Sequence, residues 1–301
     1  MPALADALAQ APVTLDGGLG TTLELRGNDV TDALWSARIL LENPGEVQAA
    51  HEDFFRAGAR IAISGSYQVG YENLAREGFT EAEVDALLTR SVEVAQAARA
   101  AAGLDGTAWV AASVGPYGAT LADGSEYTGD YGLTVDELRD WHRRRLGVLA
   151  ASGADVLAVE TIPSLAEVRA VVAELDALRA ANPHTPPAWI AVTIDGPELR
   201  SGEPLAEAFA LAAASDAVLA MGVNCCDPRD VAQALAIARE VTDKPLVAYP
   251  NSGEQWDAKN RRWMGHPGIA SELVGEWLAL GAGLVGGCCR VTPAAIAEFA
   301  R

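Results

Sequence analysis

Eight short, β-rich apolar runs recur along the chain, at residues 13–16, 60–64, 109–114, 155–160, 189–194, 217–224, 245–249 and 283–287, with amphipathic Ala- and Leu-rich segments between them. A strand that is followed by a helix returns to a parallel neighbour by a crossover, so the repeat predicts an α/β fold built on a parallel sheet. The runs are almost continuously apolar, as strands covered on both faces must be. A doubly wound open sheet has the same rhythm, but a count of eight favours a (β/α)8 TIM barrel. No linker-like tract or break in composition interrupts the 301 residues, so one domain is expected over 1–301, with its core at about 13–299. Thr80 with Glu83, Thr134 with Glu137 and Ser164 with Glu167 have the spacing of capping boxes at helix starts, and helices are expected to end on Gly58, Gly153 and Gly281. Two long excursions, 19–43 and 115–134, follow the first and third strands, on the face where barrels carry their chemistry.

Charge and hydropathy exclude several partners. The chain carries 41 acidic and 22 basic side chains, a net charge of −19, which is wrong for a polyphosphate backbone or an anionic membrane. No apolar run reaches the roughly 18 residues of a membrane span, and the N-terminus lacks the basic start of a signal peptide, so a cytoplasmic protein acting on small molecules is expected. Gly17-Gly18-Leu19-Gly20 lacks the spacing of a dinucleotide loop.

The strand ends hold the polar groups. Strand 1 ends in Asp16-Gly17-Gly18, strand 2 in Ser64-Gly65-Ser66-Tyr67-Gln68, strand 4 in Glu160-Thr161, strand 6 in Asn224-Cys225-Cys226 and strand 8 in Gly286-Gly287-Cys288-Cys289. The four cysteines therefore fall in two adjacent pairs 63 residues apart, on strands that lie close together around a closed barrel. A single buried pair reads as core packing. Two pairs at neighbouring strand ends read as ligands, and three thiolates with one open position suit a reactive zinc site. Side chains alternate along a strand, so Cys226 points away from Cys225 and is expected to pack in the core. The four histidines (His51, His142, His184, His266) share no ligand spacing and read as packing or surface residues.

Asp16-Gly17-Gly18, Gly222-Val223-Asn224-Cys225 and Gly286-Gly287-Cys288-Cys289 together resemble the homocysteine S-methyltransferase family, whose fold is a (β/α)8 barrel. The resemblance runs from about Val13 to Phe299. The runs 113–118, 122–127 and 249–254 look like the branch whose methyl donor is S-methylmethionine or S-adenosylmethionine. The resemblance implies that Cys225, Cys288 and Cys289 bind Zn2+, and that Asp16 and Glu160 hold the amino-acid end of homocysteine, helped by the backbone of Gly17. Ser66 and Asn224, at the ends of strands 2 and 6, are expected on the same substrate site. The betaine-using branch has an aromatic residue after the strand-4 glutamate where Thr161 stands here, which counts against that donor. Position 226 is not usually cysteine in the family, and Arg290 stands where many members have glycine.

The implied reaction is methyl transfer from the sulfonium donor to L-homocysteine, giving methionine. A free thiol has a pKa near 8.5, and the attack needs the thiolate, which zinc coordination supplies. Tyr67, Tyr117, Trp35 and Trp256 are candidates to face the donor's sulfonium. Two other functions fit the same residues: a homocysteine-binding module that serves a separate corrinoid protein, and another metal-dependent barrel lyase that uses the rim carboxylates as acid and base. The preferred donor and the oligomeric state stay open.

Overall fold

The computed structural model describes residues 3–30, 36–257, 262–264 and 269–300. Its main sheet has eight parallel strands: β1 (Val13–Thr14), β2 (Ile61–Ile63), β3 (Trp109–Val114), β4 (Val156–Ile162), β5 (Ala188–Val192), β8 (Val218–Asn224), β9 (Leu246–Tyr249) and β12 (Ala282–Val285). Two hairpins, β6 (Ile194–Asp195) with β7 (Glu198–Leu199) and β10 (Gln255–Asp257) with β11 (Arg262–Met264), stand outside it. The spatial order is β1-β12-β9-β8-β5-β4-β3-β2. A single Leu15–Ile61 bridge brings the last neighbours, β1 and β2, together. This is the nearly closed (β/α)8 barrel that the rhythm predicts.

Strand pleat divides the core in two. Trp109 and Ala111 of β3, Val156 and Ala158 of β4, Trp189 and Ala191 of β5, and Val247 and Tyr249 of β9 fill the barrel interior, where small residues accommodate the large rings. Their alternate neighbours, among them Val110, Leu157, Ile190 and Ala248, pack under the helices. Because the period is two, the inward series of β4 (Val156, Ala158) continues to Glu160, and that of β3 (Trp109, Ala111) to Ser113. The carboxylate thus follows from the same register that packs the interior. At the opposite end Leu4, in the helix Leu4–Leu8, joins the interior cluster.

The capping boxes at Thr80 and Thr134 form in full. The third is only half made: Ser164 accepts from the Glu167 backbone, but the Glu167 carboxylate turns inward to His142 Nε2 at 2.9 Å and the Tyr117 N–H at 2.6 Å. Gly58, Gly153 and Gly281 all take left-handed backbone at helix ends. The fifth strand, expected to run to 194, stops at Val192, and Ile194 starts the β6–β7 hairpin. Of the two excursions, the first contains the helices Leu19–Leu25 and Ser36–Glu42, and the second the 3-10 turns Tyr117–Thr120 and Ser125–Tyr127. A third excursion, carrying the β10–β11 hairpin after β9, has no counterpart in the sequence reading. No described helix is long and apolar enough to cross a membrane.

Candidate metal and substrate site

Three sulfur atoms meet at the rim. The Sγ atoms of Cys225, Cys288 and Cys289 all lie within 4.8 Å of one another, and Cys225 and Cys289 are 3.8 Å apart. Two sulfurs each about 2.3 Å from one zinc at a tetrahedral angle would be about 3.8 Å apart, so the trio fits such an ion. No other such cluster of His, Cys, Asp and Glu occurs among the described residues. Mutual hydrogen bonds hold the Cys289 thiol below its ordinary range and the Cys288 thiol above it. The three titrate as a group: one proton leaves easily and the others are retained by burial and repulsion, which a divalent cation would relieve.

Irregular backbone makes the convergence possible. Cys225 follows β8 with φ +52°, a left-handed conformation rare outside glycine. That turn takes Cys225 to the pocket while Cys226 stays in the outer core, as expected. On the other side the chain leaves β12 at Val285, and the next peptides are tied to three neighbours. Gly286 N–H donates to Ala248 O, Gly287 N–H to Asp16 O, and Cys288 N–H to Pro250 O. A Cβ on Gly287 would lie 2.2 Å from the Val291 side chain, so this approach requires glycine. Cys289 N–H donates to Asn251 Oδ1 at 3.1 Å. Arg290 also takes a left-handed turn, at φ +66°, fastened through its N–H to Thr21 Oγ1 and its guanidinium to Glu254.

The thiols line a cavity of about 280 Å³ together with Gly17, Gly18, Ser64, Tyr67, Glu126, Tyr127, Glu160, Thr161 and Tyr249. Among its described lining there are two carboxylates and no basic side chain. Burial pushes Glu160 up to about 7, although hydrogen bonds from Ser113 and Tyr249 oppose the shift. Tyr249 in turn accepts from Trp189 Nε1 at 3.0 Å. Asp16, also raised by burial, accepts the Ile63 N–H on Oδ2 at 2.8 Å.

Of the residues expected on the substrate site, Gly17 and Glu160 line the cavity, and Asp16, Ser66 and Asn224 stand behind its lining. Ser66 Oγ donates to Ser113 O at 2.8 Å and contacts Ser64 Oγ, so Ser64 faces the cavity in its place. Asn224 is a brace. Its Oδ1 accepts from the Thr161 N–H at 2.7 Å and its Nδ2 donates to Thr161 Oγ1, holding Thr161 at φ +60°. The aromatic candidates divide as well. Tyr67 lines the cavity, whereas Tyr117 packs between Tyr131 and Trp141 behind it. Trp35 and His266 lie outside the described residues, and the backbone alone is described for Trp256.

Three residues were missed from sequence. Tyr127 places its hydroxyl 3.1 Å from Cys225 Sγ, and Glu126 stands beside it on the cavity wall. Arg145, fully buried, donates to the carbonyls of Gly115, Ser66 and Tyr67 and so ties the end of β2 to the end of β3. The only sequence signal was the 122–127 run, which marked a branch and assigned no roles.

The family model described as homocysteine S-methyltransferase matches residues 13–301. The chain is 44% identical over 293 residues to the homocysteine S-methyltransferase of Escherichia coli (strain K12), covering 95% of this chain and 93% of that one. It is likewise 44% identical over 306 residues to homocysteine S-methyltransferase 4 of Zea mays, covering 95% and 88%. Its structure matches the metallated form of the homocysteine methyltransferase MmuM from Escherichia coli with a TM-score of 0.87, at 40% identity, over 99% of this chain and 98% of that one.

Proposed function

The chain belongs to the homocysteine S-methyltransferase family, and from that premise we propose that it transfers a methyl group from S-methylmethionine, or from S-adenosylmethionine, to L-homocysteine to give methionine. Cys225, Cys288 and Cys289 would hold a zinc ion, and the observation that carries this reading is their convergence beside Glu160 in one cavity. Zinc bound there supplies a positive centre that lowers the pKa of an incoming thiol.

The protein's own groups prepare the rest. Glu160 receives the homocysteine ammonium, with the peptide of Gly17 beside it and the Asp16 carboxylate behind them. Ser113 and Tyr249 orient Glu160, and an ammonium partner would draw its raised pKa back down. The homocysteine thiol loses its proton to bulk water as it enters, and its sulfur electron pair forms the new S–C bond. The electrons of the donor's S–CH3 bond return to the donor sulfur, which leaves as a neutral thioether. Opposite charges vanish in this step, so a cavity that excludes water favours it, and holding both sulfurs in line supplies several kcal/mol in general. Tyr67, Tyr127 and Tyr249 offer faces and edges on which a sulfonium can rest.

The test is protein purified anaerobically under reductant and assayed for zinc by elemental analysis. Incubated with homocysteine and S-methylmethionine, it should contain about one zinc per chain and form two methionines per methyl transferred. Material that carries zinc but leaves every sulfonium untouched would overturn the reading.

A further inference from the structure

Two carboxylates face the cavity, and the reading above employs only Glu160. Glu126 is the middle residue of the 3-10 turn Ser125–Tyr127 at the cavity wall, one residue from the tyrosine that reaches Cys225. Its Oε2 is buried and has no hydrogen-bond partner among the described residues. The titratable groups that act on it most, Cys225 and Asp123, are both acids, and no cation is among them. A carboxylate oxygen withdrawn from water without a donor costs a few kcal/mol, so a rotation of the side chain that brings it to a ligand's donor in the cavity is favoured. The turn is not free to swing it away: a Cβ on Gly118 would lie 2.4 Å from the Glu126 backbone nitrogen, so the two backbones pack directly.

We propose that Glu126 is the specificity-determining residue for the methyl donor, and that it recognises the donor's α-ammonium group. This inference rests on the methyltransferase reading above and names the donor class as a sulfonium amino acid. Transition-state logic separates the two positive charges of such a donor. The sulfonium charge disappears as the methyl leaves, so a carboxylate placed on it would stabilise the ground state more than the transition state and slow the reaction. The ammonium charge persists unchanged and donates hydrogen bonds, which a sulfonium cannot. A carboxylate on the ammonium therefore improves donor binding without raising the barrier. Division of labour follows: Glu160, inside the barrel mouth, serves the acceptor amine, and Glu126, on the excursion after β3, serves the donor amine.

The experiment compares wild type with Glu126→Gln in zinc-loaded protein, using S-methylmethionine and its analogue lacking the amino group, 4-(dimethylsulfonio)butanoate. The analogue is read as a substrate, or as a competitive inhibitor against S-methylmethionine if it is not turned over. Loss of a charge-assisted hydrogen bond predicts a fall of about 10- to 100-fold in kcat/KM for S-methylmethionine, carried mainly by KM. The analogue's constant and the KM for homocysteine should stay within about 2-fold. An unchanged zinc content shows that the fold and the thiol trio are intact. Equal losses on both donors, no loss on either, or a rise in the homocysteine KM in place of the donor's would each overturn the assignment. A wild type inert to all sulfoniums refutes the methyltransferase reading itself, a result distinct from any of these.

Discussion

Replacing Glu160 by glutamine should stabilise the ligand-free, metal-free protein, and by more in alkali than in acid. Burial raises this carboxyl from an ordinary value near 4.5 to about 7. A group with a raised folded pKa contributes fully below its unfolded pKa and loses that contribution as pH rises through the folded one. The shift of about 2.5 units corresponds to about 3 kcal/mol at about pH 8, where the folded chain has to ionise a buried acid. Near pH 5.5 the unfolded chain is mostly ionised and the folded carboxyl mostly protonated, and the penalty is about 1.5 kcal/mol. The advantage of Glu160→Gln should therefore grow by about 2 kcal/mol between the two conditions. For 301 residues the unfolding entropy is about 0.6 kcal/mol/K, so the gap in Tm should widen by about 3 °C. Differential scanning calorimetry of both proteins, without metal and under reductant, reads this directly, because titrating groups that do not interact with Glu160 cancel in the difference. A gap that stays constant, or that widens toward acid, would refute the claim that Glu160 is held in the fold against its own ionisation. The same variant should lose homocysteine binding, a trade of function against stability at the residue that carries the function.

Cys288→Ser should purify without stoichiometric zinc, whereas Cys226→Ser should keep it and lose about 1–3 kcal/mol of stability by burying a hydroxyl in an apolar core; elemental analysis and urea denaturation check the pair. His51, buried without a partner, has a pKa lowered to about 4 by burial. Its contribution is present above its unfolded value near 6.5 and is lost as pH falls, by about 2 kcal/mol at about pH 5. On acidification the urea midpoint of wild type should therefore fall relative to that of His51→Leu, and parallel curves would count against it. Arg145→Met leaves three carbonyls unpaired and should cost about 3–5 kcal/mol, and Arg145→Lys should not rescue it, since one ammonium cannot span a fork that serves both strand ends. A lysine variant within about 1 kcal/mol of wild type in urea would contradict that account.

What could be read from the chain beforehand follows from range. The strand–helix rhythm, two capping boxes and the separate fates of Cys225 and Cys226 depend on periodicity or on immediate neighbours. The thiol trio was accessible because adjacent cysteines at two strand ends are converted into proximity by the barrel's closure. Glu167 shows the limit. Its spacing from Ser164 satisfies the box, yet a buried histidine 25 residues away and the Tyr117 amide compete for the carboxylate and win. Ser66 and Asn224 were expected on the substrate because they sit at strand ends, but which of Ser64 and Ser66 faces the cavity depends on how the chain turns after Ile63. Tyr127 reaches Cys225 across 98 residues through two short turns, and no local pattern encodes that path.

Asp16 belongs at once to the first strand end, the last and the second: its carbonyl takes the Gly287 amide, and its carboxylate takes the Ile63 amide where β1 and β2 barely touch. The side chain that backs the proposed acceptor site is thus also a rivet in the weakest join of the hoop. Breathing of that join would loosen the acceptor's seat with it, and so would set a ceiling on how long the acceptor can stay.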